Sequence, residues 1–86
     1  MPTTVTVCFF AAAREQVGVD ETKLELDDSA GGCTTATFAV ALLQQYPQLS
    51  QLLPRCALAL NGEYVQESQS VRSGDEIAVL PPMSGG

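Results

Sequence analysis

The sequence predicts an α+β domain in which a mixed sheet of four to five strands carries one main helix packed on one face. Apolar residues alternate with period two near both ends of the chain, over Thr4 to Phe10 and over Glu76 to Leu80, the pattern of half-buried strands. Between them, Ala36 to Tyr46 sets Phe38, Ala39, Leu42, Leu43 and Tyr46 on one helical stripe. Turn signals then crowd the second half, at Asn61-Gly62 and Ser73-Gly74-Asp75. At 86 residues, 45% of them hydrophobic and 16% charged, the chain has material for one core. A domain of that size buries about 60–65% of its unfolded surface.

In chain order, Val5, Val7 and Phe9 of the first strand face one side, and Thr4, Thr6, Cys8 and Phe10 the other. Ala11 to Val17 is made of helix formers and ends at Gly18, predicting one or two turns closed by a glycine cap. Thr22 to Asp27 alternates again, with Thr22, Leu24 and Leu26 inward, and pairs antiparallel with the first strand. Asp28 to Cys33 is a loop on composition. Thr34 or Thr35 caps the main helix, with no Glu or Gln at position 37 to complete a capping box, and Pro47 stops it. Leu49, Leu52 and Leu53 are spaced for one tight helical turn over the core edge. Cys56 to Leu60 is the third strand, and Asn61-Gly62 turns it into a short fourth one, Glu63 to Val65. The last strand points Ile77 and Val79 inward, Ala78 and Leu80 outward.

For the first and last strands both to be central and buried, the economical sheet runs them parallel, with the helix across one face. This is the ubiquitin-like β-grasp arrangement. It implies a folded domain over 1–80 and an extended C-terminal tail over 81–86.

That tail is the most informative stretch. Pro81 and Pro82 have no N–H to give a sheet, so the last strand stops there and the chain leaves extended. Met83 and Ser84 follow, then Gly85 and Gly86, whose lack of a Cβ lets a second protein's narrow channel close around the backbone up to the terminal carboxylate. From Pro81 to Gly86 the reach is roughly 20 Å. Phe10 and Leu80 fall on the outward side of their strands, with Tyr64 within reach. Such a patch marks a partner site; the alternative is that Phe10 folds back over the sheet's end as core.

Other chemistry is sparse. Ten acidic residues against four scattered basic ones give a net charge of −6, which disfavours nucleic acid and anionic membrane and suits either a basic protein surface or plain solubility. No apolar run approaches the roughly 20 residues of a membrane span, and Met1 to Thr4 lacks the basic start of a signal peptide, placing the chain in the cytosol. Gly31-Gly32 fails as a phosphate loop because the only lysine, Lys23, lies upstream. Cys8, Cys33 and Cys56 form no C-x-x-C pair; Cys8 and Cys56 are expected as small buried hydrophobes, with Cys33 the loop thiol to watch. Asp27-Asp28 and Asp75-Glu76 read as turn solvation. With no His, no metal-ligand cluster and no nucleophile beside a base, unaided catalysis and a bound cofactor are not expected. The reactive group left is the Gly86 carboxylate, a poor electrophile until its oxygen becomes a good leaving group, as in an acyl-adenylate made with ATP by another enzyme.

Phe9-Phe10-Ala11 with Ala13-Arg14-Glu15 and Gly18, then Leu60-Asn61-Gly62-Glu63-Tyr64-Val65, then Gly74-Asp75-Glu76-Ile77-Ala78-Val79-Leu80-Pro81-Pro82-Met83-Ser84-Gly85-Gly86, resemble the small, sulfur-carrying subunits of molybdopterin synthase along the whole chain. The loop from Asp28 to Cys33 departs from that pattern in being richer in glycine. The resemblance implies that Gly86 is adenylated by a ubiquitin-activating-like adenylyltransferase and converted to a thiocarboxylate with persulfide sulfur supplied there. It implies insertion into a large synthase subunit, where the sulfur passes to cyclic pyranopterin monophosphate to build the molybdopterin dithiolene. It also implies Phe10, Tyr64 and Leu80 as a docking patch, Pro81, Pro82, Met83, Ser84 and Gly85 as the inserted tail, and a heterotetramer of two large and two small subunits. A thiamine-pathway sulfur carrier and a ubiquitin-like modifier attached to lysines through Gly86 share the fold and the Gly-Gly ending and are the alternatives. A ferredoxin is excluded, since three Cys without the C-x₄-C-x₂-C spacing cannot hold its cluster.

Overall fold

In chain order the elements of the computed structural model, which describes residues 3–27 and 32–82, are β1 (Thr3–Phe9), α1 (Ala11–Val17), β2 (Glu21–Leu26), β3 (Cys33–Thr34), α2 (Thr35–Gln45), β4 (Ala57–Leu60), β5 (Glu63–Tyr64), β6 (Ser70–Val71) and β7 (Glu76–Leu80). Five of the strands form one sheet in the order β2-β1-β7-β4-β5, and β3 pairs with β6 in a small second sheet. The chain's first and last strands are neighbours at the centre and run parallel, Val7 level with Ile77 and Phe9 with Val79. The other pairings in the large sheet are antiparallel.

Period-two alternation decides which side is core. Val5, Val7 and Phe9 of β1, Ile77 and Val79 of β7 and Leu24 and Leu26 of β2 are buried beneath Phe38 and Leu42 of α2. Tyr46 closes the end of the helix edge-on against Phe9, ring centroids 5.6 Å apart. Leu49 and Leu53 seal the margin from two successive 3₁₀ turns, Pro47–Leu49 and Leu53–Arg55, where the sequence suggested one.

Two further expectations are corrected. The capping box of α2 is complete, because Thr37 substitutes for the expected Glu or Gln: the Thr34 N–H donates to Thr37 Oγ1 at 2.7 Å, and the Thr37 N–H donates to Thr34 Oγ1 at 3.3 Å. Cys33 is not a loop thiol. It is only 3% exposed, paired with Val71 in the β3–β6 ribbon, whereas Cys8 and Cys56, expected inside, are half-buried.

Candidate functional site

The site assembles at one end of the sheet. Because β1 and β7 are parallel, their C-terminal ends lie together: Phe9 is level with Val79, so Phe10 stands one step on, level with Leu80. Leu80 pairs across to Ala57, while Ala78 pairs with Ala59 and Ala59 in turn with Tyr64. Residues in register on neighbouring strands point to the same face. Tyr64, Ala59, Ala78 and Cys8 therefore form one row across the face opposite α2, with Ala57 and Leu80 in the next row. The floor is small side chains and the rim is large ones. Two interstrand spacings, about 10 Å, separate Tyr64 from β7.

Phe10 does not fold back as core. It is 47% exposed, Tyr64 is 71% exposed and Leu80 is half-buried. The turn after β1 is what exposes Phe10. Phe10 caps α1, its carbonyl accepting from the N–H of Ala13 at 3.0 Å, and Ala11 adopts a positive φ of 49° to redirect the chain in one residue. That conformation costs a non-glycine residue about 1–2 kcal/mol. Gly18, at φ 85°, then ends α1 with its N–H on the Arg14 carbonyl.

After Leu80 the chain leaves the sheet. Pro81 is half-buried and Pro82 exposed. Met83, Ser84, Gly85 and Gly86, the remaining predicted tail residues, lie outside the described residues.

At the other end of β7, Asp75 is more than turn solvation. One carboxylate oxygen accepts from the Arg72 N–H at 2.8 Å and the other from the Asn61 side-chain amide at 3.1 Å. Asn61 Oδ1 in turn accepts from the Glu76 N–H at 2.9 Å. The Arg72 N–H first, then the Asn61 amide, hold the Asp75 carboxyl below its ordinary value. Asn61 and Gly62, at φ 51° and 89°, make the hairpin turn that the dipeptide predicted, and so hold Asn61 over β7. Sequence reasoning saw the turn but not this second use of Asn61; an Asn-Gly turn with a Gly-Asp turn further along was the available signal.

The three thiols are poorly suited to carrying exchangeable sulfur. Burial, then the carboxylates of Glu76 and Glu21, push the Cys8 thiol up, and burial pushes Cys56 up. Cys33 is enclosed.

The sequence profile of the ThiS family matches residues 7–86. The chain belongs to the ThiS family. It is 38% identical over 84 residues to the molybdopterin synthase sulfur carrier subunit of Chlamydomonas reinhardtii, spanning 95% of this chain and 98% of that one. To the protein of the same name from Haemophilus influenzae it is 37% identical over 84 residues, spanning 95% and 99%. Among solved structures, this ThiS-family chain is similar to SAMP1 from Haloferax volcanii, with a TM-score of 0.82, 26% identity and coverage of 96% and 99%. It is also similar to a chain in the complex of subunits 1 and 2 of the molybdopterin-converting factor from Helicobacter pylori, with a TM-score of 0.66, 27% identity and coverage of 98% and 100%. The fold is the ubiquitin-like β-grasp, and the chain is a homologue of molybdopterin synthase sulfur carriers, as the motifs implied. Among the described residues, no helix is long and apolar enough to cross a membrane.

Proposed function

We propose that this chain is the sulfur carrier subunit of molybdopterin synthase and that Gly86 carries the sulfur. In this reading an adenylyltransferase joins the Gly86 carboxylate to AMP from ATP, releasing pyrophosphate. A persulfide displaces AMP from the acyl carbon, and a further thiol splits the S–S bond, leaving a thiocarboxylate. The tail of residues 81–86 then enters a large subunit and passes its sulfur to the pterin precursor. The two large and two small subunits implied by the sequence resemblance, and a cytosolic location, belong to this same reading.

The single observation that carries the proposal is the end-to-end similarity to sulfur carrier subunits together with a central strand that releases its chain beside an open apolar face. The Helicobacter pylori complex supports a large-subunit partner, since the similar chain there is one half of a two-subunit assembly. The small-residue floor, open at Ala57, half-buried at Ala78 and buried at Ala59, suits close approach of a partner, with Phe10, Tyr64 and Leu80 as anchors around it. A net charge of −6 leaves recognition of a phosphorylated pterin to the partner.

The similarity to SAMP1, named elsewhere as a small archaeal modifier protein, favours a second reading in which Gly86 forms isopeptide bonds with lysines. The sequence relationship to sulfur carriers is closer, 38% against 26%. Intact mass spectrometry after incubation with an activating enzyme, ATP and a sulfur donor separates the two. Exchange of one oxygen for sulfur at the C terminus is expected. Isopeptide adducts without that exchange would select the modifier.

A further inference from the structure

The outer edge of β2 and the groove behind it are not used by the function proposed above. β2 pairs only with β1 among the described strands. The Phe9 N–H donates to the Asp20 carbonyl at 2.8 Å, so alternation turns the backbone groups of Thr22, Leu24 and Leu26 toward β1. The N–H and C=O groups of Glu21, Lys23 and Glu25 consequently face outward, a ready template for another strand. Their side chains lie on the open face of the sheet, where Lys23 Nζ donates to Thr6 Oγ1 at 2.7 Å. On the helix side of the same edge, a mainly apolar groove of about 440 Å³ runs between β2 and α2, with Leu26, Ala36, Val40 and Ala41 among its walls and Glu25 and Asp27 also lining it. Val40 is 59% exposed on that wall.

We propose that this edge and groove form a docking site for an extended segment of a partner protein that reads basic, apolar, acidic, apolar, basic. A strand added here sends alternate side chains to the two faces. Those on the open face meet Glu21, Lys23 and Glu25, so opposite charges are basic, acidic, basic in either strand direction. Those on the helix face enter the groove and are apolar. A second copy of this chain matches the charge pattern less fully. Antiparallel self-pairing centred on Lys23 sets Glu21 against Glu25 and Lys23 against its own copy, centring on Thr22 leaves Glu25 opposite Val19, centring on Leu24 sets Glu21 against Asp27, and parallel pairing in register sets every charge against itself. Segments 28–31 and 83–86 of the chain's own sequence do not fit either, because they contain no basic residue.

The test is an amide-resolved NMR titration of the full chain with the peptide Val-Lys-Val-Glu-Val-Lys-Val, blocked at both ends. Shifts confined to Glu21–Leu26 and the Ala36–Gln44 face of α2 are expected, with Tyr64 and Leu80 unmoved. The charge-reversed peptide is expected to bind at least about tenfold more weakly. V40K, an exposed helix change that leaves the fold intact, is expected to weaken binding by a similar factor. In the triple variant E21K/K23E/E25K the preference between the two peptides is expected to invert. Absence of shifts up to about 1 mM peptide, shifts centred on the Phe10–Tyr64–Leu80 face, or equal affinity for the two peptides would each overturn the proposal.

Discussion

The two ends of β7 are built on opposite principles. Where the strand begins, backbone and side-chain polar groups brace one another. The Thr6 N–H donates to the Asp75 carbonyl, the Gly74 N–H to the Thr4 carbonyl, the Thr4 N–H to Ser73 Oγ, and Asn61 and Asp75 brace the two turns against each other. Where it ends, the chain changes to residues that have no hydrogen to donate, with Leu80 half-buried, Pro81 half-buried and Pro82 exposed. Among the described residues, side-chain hydrogen bonds cluster at the end remote from the proposed chemistry. The presenting end is left with apolar surface and an exit. Damage at the two ends is therefore expected to separate cleanly into lost stability and lost function.

The largest separation is expected from deleting Gly86. Sulfur transfer to the pterin precursor falls to background while the thermal midpoint and the complex with the large subunit stay as they were; co-purification and a melting curve check this, and loss of the complex would contradict it. Next in size is Tyr64→Glu, a charge placed on an exposed rim. Affinity for the large subunit, read by calorimetry, falls by roughly 30-fold or more, with a change in folding stability within about 0.5 kcal/mol. At the braced end the outcome reverses. Asn61→Ala removes two side-chain hydrogen bonds and a residue suited to positive φ, lowering unfolding free energy by about 1–3 kcal/mol in urea, while the folded fraction still accepts sulfur.

The smallest effect is one of pH. Asp75 titrates lower in the folded chain than its ordinary value of 3.8, so its bonds contribute fully above that value and are lost as pH falls through the folded one. Acid melts of the wild type are expected to steepen below about pH 4, and Asp75→Asn to flatten that slope. Equal slopes would remove Asp75 from the account.

Much of this contrast is legible in the amino-acid sequence. Alternation in β1 and β7, the stripe of α2 and the Asn61-Gly62 turn are local signals, and each placed its element within a residue or two. The exposed position of Phe10 followed from parity along β1, although the strand stops at Phe9 and the turn at Ala11 completes the exposure. The misses share a physical origin. β3 and β6 are two residues each, too short for any period to register, and they exist because their partners arrive from elsewhere in the chain. Burial of Cys33 follows from that pairing. Thr37 completes a box usually closed by longer side chains, and Asp75 gains its role from Asn61, a neighbour in space only. Of the proposed site, Phe10 and Leu80 were readable from alternation along their strands and the two prolines from residue type, because an imino residue has no N–H to pair.

Pairing the earliest and latest strands at the middle of the sheet also has a bearing on synthesis. No centre exists for the remaining strands to flank until the ribosome has released residues almost to the terminus. A message read short, or a chain clipped before Glu76, gives a polypeptide without its axis. Cells thereby avoid stocking the synthase with folded copies cut short ahead of that strand.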